Sequence, residues 1–318
     1  MIPANVQLNR ESPWASVREK PALPKEIALF ERPGWRMLQK ETPVYDLSVF
    51  MNEIRMVFRQ FKTPSDLSYE QGNTLSRLEW ALRHHRKKWN DRPMTVRSLN
   101  GIGDLVGILL GWMKGSAEWV MHAEGFRKLP VKEKFGVLLG TWQVWTHLER
   151  LQLSIEVLGE RAITERLLIG RGEEAIDMRL LELDISPISK CSLEQLLPIF
   201  TPFFDRIFDD VGKQLLELRP SSLEVTFMLC YVGWTITEKL QRVKDKSATD
   251  LFINSITDEL HEHYTERHGT SNYAARLIRM TNIVNKLEVI FRDRRKLLEI
   301  AKLFDVFKTN ISEPCIFE

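Results

Sequence analysis

The 318-residue sequence predicts an all-α domain that carries one small β-hairpin. Along most of the chain, apolar residues recur at steps of three and four, which is the spacing of helices with one buried face. Two short apolar runs flank a glycine-containing turn between residues 167 and 176, a pattern typical of a hairpin. No repeat of fixed period is present, so the sequence does not predict a solenoid.

The segment 109–150 predicts a helix, a tight turn and a second helix. The first helix has a single apolar stripe, whereas the second is apolar on more than one face from Phe135 to Leu148. A helix that is apolar all round is enclosed by other helices. Pro130 suits the first turn of the second helix, where its missing N–H would have no intrahelical partner in any case. We therefore expect the second helix to lie at the centre of the domain.

Further helical patterns lie on both sides of this corner. They cover residues 47–61, 66–90, 192–208, 210–218, 221–239, 247–267 and 274–307. At about 1.5 Å per residue the last helix would be about 50 Å long, and we expect it to break within the charged run 292–296. Six of the 14 prolines precede residue 44. Residues 1–44 are therefore predicted to be a flexible arm, and residues 45–318 to be the folded domain.

Composition and charge exclude several classes of protein. The formal net charge is only +2, without the basic surplus that direct nucleic-acid binding requires. The uncharged apolar runs are shorter than the roughly 18 to 20 residues that span a bilayer. The first 20 residues are polar and contain proline, unlike a secretory signal. Three scattered cysteines predict reduced thiols, so we expect an intracellular protein that does not contact membranes.

The sequence contains no motif that is typical of an enzyme or of a resident metal. The sequence pattern predicts no strand before Gly101 and Gly103 and no helix directly after them, both of which a phosphate-binding loop requires. His261 and His263 are two residues apart, whereas a pair of metal ligands on a helix needs a spacing of three or four. No signature of a catalytic nucleophile is present. We therefore predict no catalytic residue, no cofactor and no metal ligand.

The corner resembles the signature of the nuclear-receptor ligand-binding domain. In that family an aromatic residue and a Leu-Pro turn precede a polar residue and a Leu-Leu-x-x-Trp motif. The matching positions here are Phe126, Leu129, Pro130, Lys134, Leu138, Leu139 and Trp142. Downstream, residues 272–277 resemble the start of the family's dimerisation helix. The divergence is similar to that of the nematode branch of these receptors.

The resemblance implies a three-layer antiparallel helical sandwich that acts in transcriptional regulation, in the nucleus or also in the cytoplasm. The family's DNA-binding domain holds two zinc ions with eight cysteines, and this chain has three. The resemblance therefore covers the ligand-binding domain alone, and we expect no direct DNA binding through this chain. The alternative is an unrelated all-helical core, because stripes of tryptophan and leucine usually reflect packing.

The resemblance also implies a pocket for a small lipophilic ligand, enclosed by the two corner helices, the hairpin and the last helix. The pocket positions that carry over are Leu109, Trp112, Ser116, Trp142, Gln143, Thr146 and Arg150. Family members that bind acidic lipids use an arginine one turn beyond Arg150, where this chain has Leu153, so an acidic ligand held in that way is not expected. The alternative is that the indoles simply fill the space and no ligand binds.

A second implication is a homodimer or a heterodimer with another nuclear receptor, formed through the last helix. The predicted interface residues are Leu277, Met280, Ile283 and Val284. The alternative function is that of a ligandless helical scaffold, which dimerises with a DNA-binding receptor and modulates it.

The family's groove for a coactivator helix is expected to be altered in this chain. In the family, a lysine caps the carbonyl end of the bound helix and a glutamate caps its N–H end. The lysine aligns with Met121 and a second basic position aligns with Leu139. The closing helix would follow Phe307, in a segment that Pro314 interrupts. We therefore do not expect the usual binding of coregulators.

Overall fold

The computed structural model describes residues 28–32, 35–38, 44–87, 94–170, 172–186, 188–239, 243–244, 246–267, 272–307, 310–312 and 316. The helices are α1 (Ser48–Gln60), α2 (Leu67–Glu70), α3 (Thr74–Arg86), α4 (Ile102–Val120), α5 (Glu124–Lys128), α6 (Val131–Leu158), α7 (Arg161–Thr164), α8 (Leu193–Arg206), α9 (Lys213–Leu218), α10 (Ser222–Lys239), α11 (Lys246–Glu262) and α12 (Ala274–Leu303). The strands are β1 (Ala28–Arg32), β2 (Trp35–Leu38), β3 (Val44–Asp46), β4 (Thr95–Asn100), β5 (Leu167–Ile169), β6 (Glu174–Glu182) and β7 (Asn310–Ile311).

The centre of the fold is α6, which packs against α1, α4, α10 and α12. Nearly every side chain between Lys134 and Ser154 is buried, including charged ones. A helix of this kind needs neighbours on all sides, and the other helices supply them in an antiparallel sandwich of three layers. The predicted fold class and the predicted central position of this helix are confirmed.

The predicted hairpin is present and is part of a larger sheet. Strands β5 and β6 pair antiparallel, and β4 adds to the other edge of β6 in parallel. Arg97 on β4 is bonded to Asp104 at the start of α4 (2.6 Å) and to Glu174 on β6 (2.8 Å). These two ion pairs hold the sheet against the N-terminal end of α4.

A second small sheet has the strand order β1-β2-β3-β7. Part of the predicted arm therefore forms strands, and the rest of residues 1–44 lies outside the described residues. The β3 and β7 strands pair in parallel, and the backbone N–H of Leu47 donates to the Ser312 hydroxyl at 2.9 Å. This sheet fixes the start of α1 beside the segment that follows α12.

The prediction of a break within residues 292–296 is wrong, because α12 runs without interruption from Ala274 to Leu303. Arg294, in the middle of the charged run, lies over the rings of Phe203 and Phe291 and donates to the Gln143 side chain at 2.6 Å. The charge of Arg294 is thus accommodated in part by Phe203, which lies far from it in the sequence, so a local pattern does not reveal the contact.

A buried ion pair joins α3 to α6. Arg86, with 4% of its side chain exposed, donates through Nε to Oε1 of Glu149 (2.8 Å) and through Nη2 to Oε2 (2.5 Å). Its Nη1 reaches the more exposed Glu156 at 2.7 Å. Glu149 is fully buried, so its charge depends on Arg86 for compensation.

Replacing Glu149 tests this dependence. We expect Glu149→Gln to lower the free energy of unfolding by about 3 kcal/mol, because removing one partner leaves a buried charge less compensated. The matched control is Glu156→Gln, which removes the partially exposed acceptor and should change stability by less than about 1 kcal/mol. Urea denaturation of both variants measures the difference. Equal losses for the two would contradict the assigned role of Glu149.

A second buried titratable group on α6 is His147. Its ring lies 4.7 Å from that of Phe291 and 6.1 Å from that of Phe203, and its Nδ1 pairs with the Gln143 carbonyl at 2.8 Å. Burial, and then the charge of Arg150, lowers the pKa of His147 from 6.5 to about 3. The folded protein therefore holds this imidazole neutral in weak acid, whereas the unfolded chain does not.

The pKa of His147 predicts a loss of stability in acid. As the pH falls below 6.5 the unfolded chain binds a proton that the folded protein does not, so stability falls until about pH 3. Between pH 7 and pH 5 this single group removes about 2 kcal/mol. We expect His147→Phe to lose correspondingly less over that interval when urea unfolding is measured at both values. A variant that loses as much stability as the wild type would refute the assignment.

Candidate ligand pocket and partner surfaces

Two predicted pocket residues, Trp112 on α4 and Arg150 on α6, come together beside the hairpin. The indole N–H of Trp112 donates to the carbonyl of Gly170 at 3.2 Å. Arg150 donates through Nε to the carbonyl of Ile169 at 2.9 Å, and its guanidinium carbon lies 5.7 Å from the centre of the Trp112 ring. Side chains of α4 and α6 thus meet at the end of β5.

Arg150 is a buried cation that has no negative partner among the described residues. It is 5% exposed, and its partners among the described residues are a carbonyl oxygen and an indole ring. Burial lowers the pKa of Arg150 to about 10, so the group stays charged at neutral pH. Thr146 lies one helical turn earlier on the same face, fully buried, and its hydroxyl has no hydrogen-bond partner in the described part of the chain.

Two further predicted pocket residues, Trp142 and Gln143, face the end of the chain. The Trp142 indole N–H donates to the carbonyl of Ile316 at 2.8 Å, and the Gln143 amide donates to the same oxygen at 3.3 Å. Gln143 also accepts from Arg294 on α12. Ile316 is fully buried, so these contacts close the site from the side of α12.

The remaining predicted pocket residues, Leu109 and Ser116, lie on α4. Leu109 is partly buried against the core. Ser116 is buried and donates to the carbonyl of Met113, one turn before it, at 2.7 Å. It lines a different space, a small cavity among α3, α4, α6, α10 and α11.

This small cavity is mostly apolar and has a volume of about 40 Å³. Pockets for drug-sized ligands are about 300 to 1,000 Å³, so the cavity as it stands is too small for a lipid. Trp145 and Trp234 line it, and their indole N–H groups are buried and unpaired among the described residues. The residues contributed by α10 were not predicted. The sequence between residues 227 and 236 has no polar face, and this pattern could have indicated that α10 lies in the interior.

The structure places most of the predicted dimer residues inside the protomer. Met280, Ile283 and Val284 are at most 1% exposed, and Leu277 is partly buried against the core. The side chains of Met280, Ile283 and Val284 cannot meet a second copy while the protomer keeps this fold. Ile278, on the outer side of the same helix, is 59% exposed. A dimer formed along α12 would use that outer side.

The family signature residues surround the turn between α5 and α6. Phe126 lies on α5, Leu129 and Pro130 connect the helices, and Lys134, Leu138 and Trp142 lie on α6. Met121 and Leu139, at the positions where the resemblance expects basic residues, are buried apolar side chains. The structure describes residues 310–312 and Ile316 of the closing segment, and Asn310–Ile311 form the strand β7.

Metal sites and membrane spans were sought across the described residues. No group of three or more His, Cys, Asp or Glu side chains there is arranged to hold a metal ion. His261 pairs with the Tyr273 hydroxyl at 2.7 Å. Within the same residues, no helix has the length and apolar content that crossing a bilayer requires.

Comparisons with known proteins agree with this architecture. The model of the ligand-binding domain of nuclear hormone receptors matches residues 90–304. Nuclear hormone receptor family member nhr-213 of Caenorhabditis elegans is 29% identical over 327 residues, which cover all of this chain and 78% of that protein. Family member nhr-54 of the same organism is 26% identical over 279 residues, which cover 86% of this chain and 66% of that protein.

Among solved structures, the ultraspiracle ligand-binding domain from Drosophila melanogaster superposes with a TM-score of 0.52 at 12% identity. The match covers 76% of this chain and 95% of that chain, and at this identity it shows the fold alone. The family model, in contrast, spans most of the sequence and includes the corner, the hairpin and α12. On this evidence the protein belongs to the family of nuclear hormone receptor ligand-binding domains, with the nematode receptors among its relatives.

Proposed function

We propose that this domain regulates transcription in the nucleus by binding a small ligand whose anionic group pairs with Arg150. The observation that carries the proposal is a buried guanidinium that faces a carbonyl and an indole, neither of which has a negative charge. The domain's family, whose members are receptors that regulate transcription, supports the regulatory part of the proposal.

The energetics of burial favour an anion at this position. Removing a cation from water is unfavourable unless a counter-charge and hydrogen bonds replace the lost hydration. Arg150 has the hydrogen bond from Nε to Ile169, and no carboxylate contributes to its pKa. A carboxylate forms short, charge-assisted hydrogen bonds with a guanidinium. Such a ligand would supply the missing charge.

The neighbours of Arg150 suit the rest of such a ligand. The unpaired hydroxyl of Thr146 can donate to a second ligand oxygen, because it lies on the same face of α6. Trp112 and Leu109 on α4 offer apolar surface for a hydrocarbon chain. The site in this form is filled by its own side chains, so a ligand enters only when some of these side chains move.

Matched ligands test the proposal. We expect a medium-chain fatty acid to raise the melting temperature of the wild-type protein, and the fatty alcohol of equal length to have little effect. The shift should disappear in Arg150→Met, which keeps the packing volume and removes the charge. Differential scanning fluorimetry measures all combinations, and native mass spectrometry checks for a co-purifying acid.

The control for that test is Arg276→Met, which removes a partly exposed arginine that pairs with Glu224 and that the proposal does not place in the pocket. This variant should keep the difference between acid and alcohol. Equal responses to acid and alcohol in the wild type, or an acid response that survives in Arg150→Met, would refute the proposal.

A second candidate function is a ligandless scaffold that dimerises with a DNA-binding receptor. The observation that favours it is the filled interior, since Trp112, Trp142 and Gln143 are all engaged by carbonyl oxygens where a ligand would lie. In this case the outer side of α12, with the exposed Ile278, would contact the partner.

The dimer is tested at Ile278. We expect Ile278→Arg to weaken self-association or association with a receptor partner at least tenfold, because it places a charge in an apolar contact. Leu251→Arg, at an exposed leucine on α11, is the matched control and should have no effect. Analytical ultracentrifugation over a range of concentrations measures association. A wild-type protein that stays monomeric alone and with partner receptors would exclude the scaffold.

A further inference from the structure

The small cavity among α3, α4, α6, α10 and α11 is separate from the site around Arg150. Its wall includes Leu78 on α3, Ser116 on α4 and Thr141 on α6. Neither Arg150 nor Trp112 lines it. A ligand that pairs with Arg150 would therefore leave this second space unfilled.

Two hydrogen-bond donors of the cavity wall are buried without an acceptor. Trp145 on α6 and Trp234 on α10 are 3% and 6% exposed. Nε1 of each indole has no hydrogen-bond partner among the residues that the structure describes. The ring of Trp234 is held by stacking on Phe252 of α11, at 4.4 Å between ring centres. Burying a donor without an acceptor is unfavourable, and an indole N–H can do nothing but donate.

The same wall also has hydrogen-bond acceptors. The hydroxyl of Ser116 donates to the carbonyl of Met113 at 2.7 Å, and the hydroxyl of Thr141 donates to the carbonyl of Val137 at 2.8 Å. Each hydroxyl has one hydrogen and has used it, so only its lone pairs remain available. The cavity is thus lined by indoles that can only donate and by hydroxyls that can only accept.

Water is the molecule that suits this combination. It donates and accepts at once, and a buried water makes two to four hydrogen bonds. The cavity has a volume of about 40 Å³, which is room for about three waters at roughly 10 to 15 Å³ each. A purely apolar occupant would leave both indole N–H groups unpaired.

We propose that the small cavity is a hydration site, in which ordered water accepts hydrogen bonds from Trp145 and Trp234 and donates to the hydroxyls of Ser116 and Thr141. The water connects α4 and α6 to α10 through hydrogen bonds that the side chains do not make directly. The stacking of Trp234 on Phe252 extends this connection to α11. Because the site lies apart from Arg150, its hydration does not depend on a ligand there.

Nuclear magnetic resonance of the full wild-type chain tests the proposal, with water itself as the probe. We expect the indole N–H protons of Trp145 and Trp234 to show nuclear Overhauser cross-peaks to long-lived water in an assigned spectrum. The absence of such a cross-peak from either indole would overturn the proposal.

A matched pair of variants tests the acceptor side. Thr141→Val keeps the volume of the side chain and removes an acceptor from the cavity. The control is Thr226→Val, because Thr226 is fully buried, donates to the carbonyl of Ser222 at 2.8 Å and does not line the cavity. Both variants lose one hydroxyl bond to the backbone of their own helix.

We expect Thr141→Val to lower the urea midpoint more than Thr226→Val does, and to weaken the water cross-peaks of the two indoles. Equal midpoints, with cross-peaks as strong as in the wild type, would refute the role of Thr141 in holding the water. Should Thr141→Val fail to fold, the cross-peaks of the wild-type protein decide.

Discussion

The burial of α6 on all sides is the constraint on which the rest of the structure depends. Because this helix has no solvated face, each of its polar side chains must be compensated from within the protein. Glu149 forms an ion pair with Arg86 on α3, and the imidazole of His147 stays neutral because it is buried among aromatic rings. Arg150 receives a carbonyl and an indole but no negative charge. Arg150, a buried cation that no carboxylate among the described residues neutralises, thus lies in the predicted pocket.

Much of the fold could be predicted from the sequence, since the period of apolar residues is a local property. The corner at Pro130, the central helix and the hairpin all follow from such patterns. The parallel pairing of β4 with β6 could not, because it joins segments about 80 residues apart. The continuity of α12 through the charged run could not be predicted either, because Arg294 packs on Phe203, which lies far from it in the sequence.

The sequence indicates which residues of the candidate site share a helix face, but it does not indicate what surrounds them. A helical period shows which residues share a face, and Thr146 and Arg150 do share one. It does not show what fills the space in front of that face. Ser116 faces another cavity, and Trp142 is engaged by the carbonyl of Ile316. Met280 was likewise predicted to lie in a dimer interface on the outer side of α12, whereas its side chain is buried inside the protomer. Buried apolar residues and interfacial apolar residues have the same pattern in a sequence.

The pairing of β3 with β7 has a consequence for how the chain folds. Leu47 and Ser312 are 265 residues apart, so their contact closes almost the whole molecule into a loop. Closing such a long loop costs conformational entropy, and the contact adds little stability until the helices between its ends have packed together. The small sheet is therefore expected to assemble late in refolding and to open early on heating, so that both ends of the domain loosen together while the centre is still native.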